Sequence, residues 1–171
     1  MQSPNPKSPI PNHSSIPNRQ STILECLILV GLPGSGKTTL YRRRFESTHE
    51  HISKDLWPNA RSKQPRQDAQ LRAALSAGRS VAVDNTNVTR AERAAIIATA
   101  RELGARVVGY YLQSTTREAV ARNEQRVGRE KVPKVAIFAR ARQLAPPALD
   151  EGFDELHVLR AADGGDFVEV G

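Results

Sequence analysis

Glycines, a lysine and a threonine stand at a fixed spacing near the start of the chain. Residues 31–39 read Gly-Leu-Pro-Gly-Ser-Gly-Lys-Thr-Thr and directly follow the apolar run 26–30. Glycines let backbone N–H groups approach a polyphosphate closely, the lysine adds a full positive charge, and the next hydroxyl can bind Mg2+. The spacing predicts a phosphate-binding loop between a strand and a helix.

Each residue of this loop has an expected task. We expect Gly34 and Gly36 to adopt backbone angles that other residues avoid, Lys37 to contact phosphate oxygens, and Thr38 to bind Mg2+. The expected cofactors are ATP and Mg2+. A glycine-rich turn without a ligand is the alternative, and the strand, loop and helix in register argue against it. The full predicted nucleotide-binding set of the loop is Gly34, Ser35, Gly36, Lys37, Thr38 and Thr39.

A carboxylate follows the second predicted strand. Asp55 ends the segment His-Ile-Ser-Lys-Asp at 51–55. Ligands of an open α/β sheet bind at the carboxyl ends of its strands, where Asp55 could take the proton of an attacking hydroxyl. Capping of the next turn is the alternative role for Asp55. Lys54 beside it is equally compatible with screening phosphate charge and with simple solvation.

The polar run Asp84-Asn85-Thr86-Asn87 follows the third predicted strand. A carboxylate at such a strand end can hold Mg2+ or its waters, and the residues after it can hydrogen-bond an acceptor. We expect Asp84 to contribute to the metal site, and Asp84, Asn85, Thr86 and Asn87 to line the acceptor side with Asp55. These residue types are also common in turns and caps, so the run alone leaves both interpretations open.

Basic residues are concentrated between positions 117 and 142. Arg122 and Arg126 are four residues apart, so on a helix they share one face and could close over phosphates as a lid. An arginine in this position stabilises the charge of the transition state. Glutamates interspersed in the same segment favour a solvated helix face as the alternative.

The elements that must position these residues follow from the alternation of apolar runs and helical patterns after residue 24. This alternation predicts an α/β fold with a parallel sheet covered by helices on both faces. The polar, proline-containing stretch from Trp57 to Arg66 predicts a loop near the mouth of the site. The predicted strands are 24–30, 50–53, 80–84, 105–111 and 155–160, and the predicted helices are 37–47, 66–77, 90–103, 115–127 and 133–143.

Length and composition limit the possible function classes. The chain has 171 residues, which suffices for one domain with a real core. Its net charge of +7 favours polyanionic partners such as nucleotides or nucleic acid. We expect residues 1–21, rich in proline, serine and asparagine, to be a disordered tail or, as the alternative, a docking segment. Residues 22–171 then form one domain.

Several further classes are disfavoured by the sequence. No stretch approaches the ~20 apolar residues of a membrane span, and the single cysteine, Cys26, cannot form an intrachain disulfide. We therefore expect a soluble, cytoplasmic protein. The histidines show no zinc-binding spacing, and His51 is expected only to flank the second strand.

Taken together, the motifs resemble those of one family. The set of motifs and their order over about residues 24–160 resemble those in the kinase domain of 5′-hydroxyl polynucleotide kinases and in the related small P-loop kinases of the AAA_33 type. The resemblance implies a P-loop NTPase fold of three α/β/α layers with a helical lid at about 115–143. It also implies transfer of the γ-phosphate of ATP to the 5′-hydroxyl of DNA or RNA. The motifs are 31–39, 52–55, 83–87, 122–126, Val132-Pro133 and 151–154.

The resemblance implies a role for each matched residue. Lys37 and Thr38 look like the phosphate and Mg2+ contacts, and Asp55 looks like the base that activates the 5′-hydroxyl. Arg126 matches the lid arginine over the transferred phosphate, and Arg122 is a weaker match for a nucleotide contact. The implied catalytic set is therefore Lys37, Asp55 and Arg126, and the implied partner is a nucleic-acid 5′ end.

One departure from the family concerns the acceptor. Phage-type polynucleotide kinases have an arginine a few residues after the base, where this chain has Leu56-Trp57-Pro58. Either another cation grips the acceptor phosphate, or the acceptor carries none there. A kinase of a small metabolite or nucleotide sugar, in the manner of zeta-toxin-like kinases, is one alternative, and a nucleotide-dependent regulatory ATPase is another. The candidate cations are Lys54, Arg61, Lys63 and Arg66, and a monomer is the default state.

Overall fold

Strands and helices alternate along the chain in the computed structural model, which describes residues 23–171. The predicted tail, residues 1–21, lies outside this part. The strands are β1 (Glu25–Val30), β2 (Glu50–Ile52), β3 (Val81–Asp84), β4 (Arg106–Leu112), β5 (Glu155–Ala161) and β6 (Phe167–Glu169). The helices are α1 (Lys37–Arg44), α2 (Lys63–Ser76), α3 (Arg90–Glu102), α4 (Thr116–Glu124) and α5 (Lys134–Gln143). Among these described helices, none combines the length and apolar character needed to cross a membrane.

The six strands form one sheet in the order β2-β3-β1-β4-β5-β6. The first five strands are parallel, as predicted, and β6 pairs with β5 in the antiparallel direction. Leu29 of β1 pairs with Asp84 of β3, and Ile52 of β2 pairs with Val83. The carboxyl ends of β1, β2 and β3 therefore meet at one edge of the sheet, where ligands of open α/β sheets bind.

The core lies on both faces of the sheet, which gives three layers. On β1, Cys26 and Ile28 pack into a cluster with side chains of α2 and α3 on one face. Leu27 and Leu29 alternate with them and pack with Leu40 and other α1 side chains on the opposite face. Each fully buried Leu or Ile side chain contributes roughly 1.5–3 kcal/mol by leaving water. The predicted α/β fold with helices on both faces of the sheet is confirmed.

A third, smaller apolar cluster joins α4 and α5 to the carboxyl edge of the sheet. Ala119 of α4 and Ile137 of α5 pack with Leu32 of the loop after β1 and with Val88. The two helices therefore lie over the predicted phosphate loop.

Three predicted boundaries are wrong, each for a local reason. Helix α2 begins at Lys63, so the predicted loop from Trp57 to Arg66 ends early. Pro65 favoured a loop, but a proline is tolerated in the first helical turn, where its missing N–H would have no helical partner. Helix α1 ends at Arg44 instead of residue 47, since residues 45–48 form turns.

The third boundary error concerns α4, which ends at Glu124 instead of residue 127. Gln125 and Arg126 close the helix with tighter backbone bonds to Arg122 and Asn123, and Gly128 follows at φ +61°. Strand β6 was not predicted, because it follows the polar, glycine-containing stretch 162–166 and contains no run of more than two apolar residues.

Candidate active site

The loop between β1 and α1 has the backbone conformation that its glycines predict. Gly34 and Gly36 have φ angles of +84° and +102°, which L side chains rarely adopt. A Cβ on Gly34 would lie 2.6 Å from the carbonyl oxygen of Ala119 in α4. Gly36 precedes Lys37, the first residue of α1, so the positive end of that helix faces the loop. This geometry fits a cradle for phosphate oxygens.

The ammonium of Lys37 lies inside the loop. Its Nζ donates to the carbonyl oxygens of Gly31 and Leu32 at 2.9 and 2.8 Å. The side chain is buried, with only 8% of the residue exposed. The Ser35 hydroxyl also accepts from Nζ, at 3.4 Å. A buried ammonium that is held by uncharged oxygens is suited to an anionic ligand, because the anion supplies the charge that the loop lacks.

The pKa of Lys37 depends on its burial and on the charged residues around it. Burial lowers this pKa to about 8, and the carboxylates of Asp84 and Asp55 oppose that shift. Arg126 and Arg140 act in the same direction as burial. The charges of Asp84, Asp55 and Arg126, which were predicted to bind the metal, act as the base and form the lid, therefore all affect the pKa of Lys37. Arg140, which was not predicted, affects it as well.

Asp84, at the end of β3, is the centre of a small polar cluster. Its Oδ2 accepts a hydrogen bond from the Thr38 hydroxyl at 2.7 Å and another from His51 Nε2 at 2.9 Å. The His51 ring stacks on Tyr41, with the ring centroids 4.1 Å apart. Burial raises the pKa of Asp84, but these hydrogen bonds and the charge of Lys37 outweigh it, so the pKa lies below its ordinary value. Asp84 is therefore ionised at neutral pH.

The Thr38 hydroxyl and the Asp84 carboxylate form a donor set that fits Mg2+. Both are oxygen ligands, and Mg2+ usually takes one or two such protein ligands while keeping waters and substrate phosphate oxygens. In residues 23–171 there is no group of three or more His, Cys, Asp or Glu side chains that could hold a metal by themselves. The pair of oxygen ligands from Thr38 and Asp84 suits a metal that also binds phosphate oxygens of a nucleotide.

Asp55 lies in a short turn, Lys54–Leu56, directly after β2. The Ser53 hydroxyl, and not Asp55, caps this turn by accepting the Asp55 backbone N–H at 3.3 Å. Within the described part of the chain, no side chain donates a hydrogen bond to the Asp55 carboxylate, which is exposed. The carboxylate is therefore available to accept a proton from a ligand.

A pocket of about 190 Å³ opens beside Asp55. One of its walls is a chain of hydrogen bonds in which Lys54 N donates to Asn85 Oδ1 at 2.9 Å and Asn85 Nδ2 donates to Gln67 Oε1 at 2.7 Å. The pocket is lined by Lys54, Asp55, Gln64, Gln67, Asn85, Thr86, Asn87, Glu92 and Arg140. The predicted acceptor residues Asp55, Asn85, Thr86 and Asn87 thus share one pocket, and Asp84 lies at the end of the adjoining strand.

Arg140 of α5 closes this pocket from the lid side. Its Nε donates to the Thr86 hydroxyl at 3.0 Å, and its Nη2 donates to Glu92 at 2.6 Å. Helix α5 is thereby tied to the polar run after β3 and to the first turn of α3.

Asn87 is buried, and its main role is to hold the backbone around the site. It is the one residue other than glycine among those described that has a positive φ, at +46°. Its Nδ2 donates to the carbonyl oxygen of Leu29 at 2.8 Å, and its own carbonyl accepts from Arg93 Nη1 at 3.0 Å. Arg93 is fully buried and pairs with Glu151 through two bonds of 2.7 Å. These contacts hold the polar run in place.

The two predicted lid arginines lie at the end of α4. Arg126 Nη1 donates to the carbonyl oxygen of Glu130 at 3.3 Å. Arg122 Nη1 is buried and finds no hydrogen-bond partner within residues 23–171. A guanidinium with an unsatisfied buried N–H fits an anionic ligand, because such a ligand would satisfy it. Thr39, another predicted nucleotide contact, is exposed on α1.

Sequence reasoning did not select five residues of this region, His51, Gln64, Gln67, Glu92 and Arg140. One of them left a signal, since Gln67 stands four positions before Leu71 and seven before Ala74, on the apolar stripe of α2. A polar residue on a core stripe often marks a buried hydrogen bond. Arg140 was visible only as part of a basic run, and the contacts of His51 depend on strand order.

A family model, a curated protein and solved structures match this chain. The sequence model of the AAA domain family AAA_33 matches residues 27–147, which is more than half of the chain. A bifunctional polynucleotide phosphatase/kinase from Schizosaccharomyces pombe (strain 972 / ATCC 24843) is 30% identical over 148 residues, which cover 83% of this chain and 35% of the relative. The chain thus spans about a third of the length of that curated protein.

Two solved structures share the fold at low sequence identity. A sugar kinase from Janibacter sp. HTCC2649 is 20% identical with a TM-score of 0.61, over 80% of this chain and 85% of that chain. A fungal RNA kinase is 16% identical with a TM-score of 0.64, over 84% of this chain and 40% of that chain. The two matches show the fold that this chain shares with both proteins.

Proposed function

The chain belongs to the AAA domain family AAA_33 and has the fold of P-loop kinases, and from this premise we propose that it is an ATP-dependent phosphotransferase acting on a hydroxyl. The observation that carries the proposal is the arrangement at one edge of the sheet, where the buried Lys37 ammonium in the loop, the hydrogen-bonded pair of Thr38 and Asp84 and the exposed Asp55 carboxylate beside a pocket occur together. A phosphate loop, a metal-type carboxylate and a free carboxylate beside a pocket are the parts that phosphoryl transfer requires.

On the donor side, the loop residues Gly34 to Thr39 bind the phosphates, and Lys37 supplies the positive charge. Thr38 and Asp84 would hold Mg2+, which neutralises phosphate charge when it is bound. Arg126, with Arg122 beside it, stabilises the additional charge of the transition state.

On the acceptor side, Asp55 is the general base. It takes the proton of the acceptor hydroxyl as that oxygen bonds to the γ-phosphorus and the bond from phosphorus to the departing ADP breaks. Asn85 and Thr86 orient the hydroxyl from the pocket wall. The lid helices α4 and α5 exclude water, which prevents hydrolysis of ATP from replacing the transfer.

The leading acceptor is the 5′-hydroxyl of DNA or RNA. Two observations support it: the identity to a polynucleotide phosphatase/kinase and the net charge of +7. The arginine that is missing after Asp55 has two candidate replacements within the pocket itself, Lys54 and Arg140. A third cation considered above, Arg66, instead lies over the Trp57 ring, 4.9 Å from its centroid.

A small hydroxylated metabolite is the second candidate acceptor, and the shape of the site favours it. Beside Asp55 lies a pocket of about 190 Å³, whereas a strand of several nucleotides requires a groove. The same catalytic residues serve both acceptors, so the two candidates differ only in what occupies the pocket.

A transfer assay tests the proposal. The full chain is incubated with Mg2+ and ATP labelled on the γ-phosphate, and with 5′-hydroxyl DNA and RNA oligonucleotides or a panel of nucleosides and sugars. We expect label on the oligonucleotide 5′ end, and label on a small acceptor alone would establish the second candidate. ATP binding without transfer to any acceptor would overturn the proposal in favour of a regulatory ATPase.

A further inference from the structure

The pocket beside Asp55 has a lining that selects one kind of chemical group. We infer that it binds a single sugar ring that carries the accepting hydroxyl, and that the rest of the acceptor, including any nucleobase, stays outside. This inference rests on the proposed function, because it names what Asp55 would face. The ring could be the terminal ribose of a nucleic acid or a free sugar, which share the same hydroxyl chemistry.

The small volume of the pocket supports a single ring as its ligand. Its volume is about 190 Å³. Pockets that enclose drug-sized ligands measure roughly 300–1,000 Å³. A nucleoside has a sugar and a base, and a pocket below this range has room for one ring instead of both.

The residues that line the pocket also support a sugar ring as its ligand. Every described residue that lines the pocket is polar or charged, and none of them is aromatic or aliphatic. Proteins that recognise single-stranded nucleic acid usually stack the bases on aromatic rings. A side-chain amide has two N–H groups and two oxygen lone pairs, so the amides of Gln64, Gln67 and Asn85 can bond a ring of hydroxyl groups in addition to the protein bonds that they already make.

The charges of the lining favour a neutral ligand. The two cations and the two carboxylates of the lining balance, and both cations already have partners. Lys54 Nζ donates to Gln64 Oε1 at 2.6 Å, and Arg140 Nη2 donates to Glu92 at 2.6 Å. To bind a phosphate at this position, Arg140 would have to release Glu92, whereas a neutral hydroxylated ring leaves that pair intact.

The nearest candidate for base stacking lies elsewhere. Trp57 packs against the core cluster that also contains residues of α2 and β3, and Arg66 covers its ring. It does not line the pocket. Asp55, on the pocket wall, therefore faces the part of the acceptor that carries hydroxyl groups.

The first experiment compares acceptors that differ by one group. Two oligonucleotides of the same sequence both have a free 5′-hydroxyl. In the first, the 5′-terminal nucleotide keeps its base. In the second, a hydroxyl group replaces that base and the sugar stays intact. Free pentoses and hexoses form a second set of acceptors. We expect the two oligonucleotides to have kcat/KM values within about threefold of each other, since a base outside the pocket contributes little binding energy.

Each outcome of this comparison has a defined meaning. A loss of more than about tenfold on removal of the base would overturn the inference while leaving the kinase activity in place. Transfer to free sugars alone would support the inference and identify the ring as a free sugar. Transfer only to hydroxyl groups outside a sugar would overturn it, and no transfer at all would overturn the proposed function and this inference together.

The second experiment replaces one wall residue. Gln64 is exposed on α2, so Gln64→Leu should fold, and we expect it to raise the acceptor KM about tenfold with an unchanged KM for ATP, because it removes hydrogen bonds to the ring. Gln70→Leu is the matched control on the same helix, where the amide contacts Glu50 outside the pocket. Equal acceptor KM values in the two variants would contradict the inference.

Discussion

The Nε2 atom of His51 lies 2.9 Å from Oδ2 of Asp84, on the same carboxylate oxygen that accepts the Thr38 hydroxyl. The histidine thus orients the carboxylate that is proposed to bind Mg2+. Partners that orient a metal ligand are commonly worth a factor of 10 to 100 in metal affinity.

We therefore predict that His51→Ala raises the Mg2+ concentration for half-maximal transfer about tenfold and leaves the acceptor KM unchanged. A titration of transfer rate against Mg2+ measures this. His49→Ala is the matched control, because His49 contacts Glu25, at 3.5 Å, in place of Asp84. The same Mg2+ dependence in both variants would show that His51 has no positioning role.

Asp55→Asn tests the general base. The variant keeps the shape of the side chain and removes its basicity, so we predict that kcat falls by about 10²–10⁴-fold while ATP binding is unchanged. Transfer kinetics and equilibrium binding of a fluorescent ATP analogue measure the two effects. Asp163→Asn, at an exposed turn far along the chain, is the control. A fully active Asp55→Asn variant would remove this residue from the mechanism.

The buried ammonium of Lys37 predicts a pH dependence of stability. Burial lowers its pKa from 10.5 to about 8, so between these values the unfolded chain binds more protons than the folded one, and stability rises with pH. Lys37→Met lacks this contribution. From pH 7 to pH 10 the unfolding free energy of the wild type should rise by about 2 kcal/mol relative to Lys37→Met.

Denaturant unfolding of both proteins at several pH values gives this difference. A difference that does not change with pH would show that the ammonium is solvated in the folded protein. Lys37→Met should also lose transfer activity, because the loop then has no cation for the phosphates.

Substitutions at Gly34 and Gly78 distinguish the energetic cost of backbone strain from the cost of a close contact. Gly34 and Gly78 both have positive φ, at +84° and +74°, but a Cβ on Gly34 meets the Ala119 carbonyl at 2.6 Å while a Cβ on Gly78 meets open space. Gly78→Ala should cost only the left-handed strain of about 1–2 kcal/mol and keep its activity. Gly34→Ala should cost more and lose transfer, because α4 must shift. Thermal midpoints and kcat/KM measure both, and equal effects would mean that the lid does not rest on the loop.

The buried pair of Arg93 and Glu151 supports the run after β3. Both side chains are nearly inaccessible, at 0% and 3%, so Arg93→Leu leaves a buried carboxylate without its partner. Loss of such a partner typically costs 3–5 kcal/mol, and we predict a loss of about 4 kcal/mol in unfolding free energy. Arg72→Leu removes the exposed pair with Glu102 and should cost under about 1 kcal/mol. Urea unfolding compares them, and similar losses would contradict the prediction.

Much of the fold could be predicted because its signals are local. The phosphate loop depends on glycines and a lysine within nine residues, and β1, β3 and β4 are continuous apolar runs, as expected for strands that are buried on both faces. The start of α3 also has a local signal, since Thr89 and Glu92 form a capping box within four residues. The errors fell at helix ends and at β6, where few residues carry the signal.

The acceptor pocket could be predicted only in part, because its walls come from distant segments. Arg140 reaches a threonine 54 positions earlier, and Gln67 reaches an asparagine 18 positions later. No spacing rule connects such pairs. The approach of His51 to Asp84 depends on β2 lying beside β3, an order that the composition of the two strands does not specify.

Asn123 adds a constraint on how the lid helices can move. Its side chain accepts the Val132 N–H at 2.9 Å and donates to the Val132 carbonyl at 2.7 Å, which imitates the pairing of two neighbouring strands. Helices α4 and α5 are thereby fastened to each other across the turn that separates them. Helix α5 is also tied to the rest of the site through Arg140, so we expect the two helices to hold Arg126 and Arg140 at a fixed mutual spacing over the two substrates.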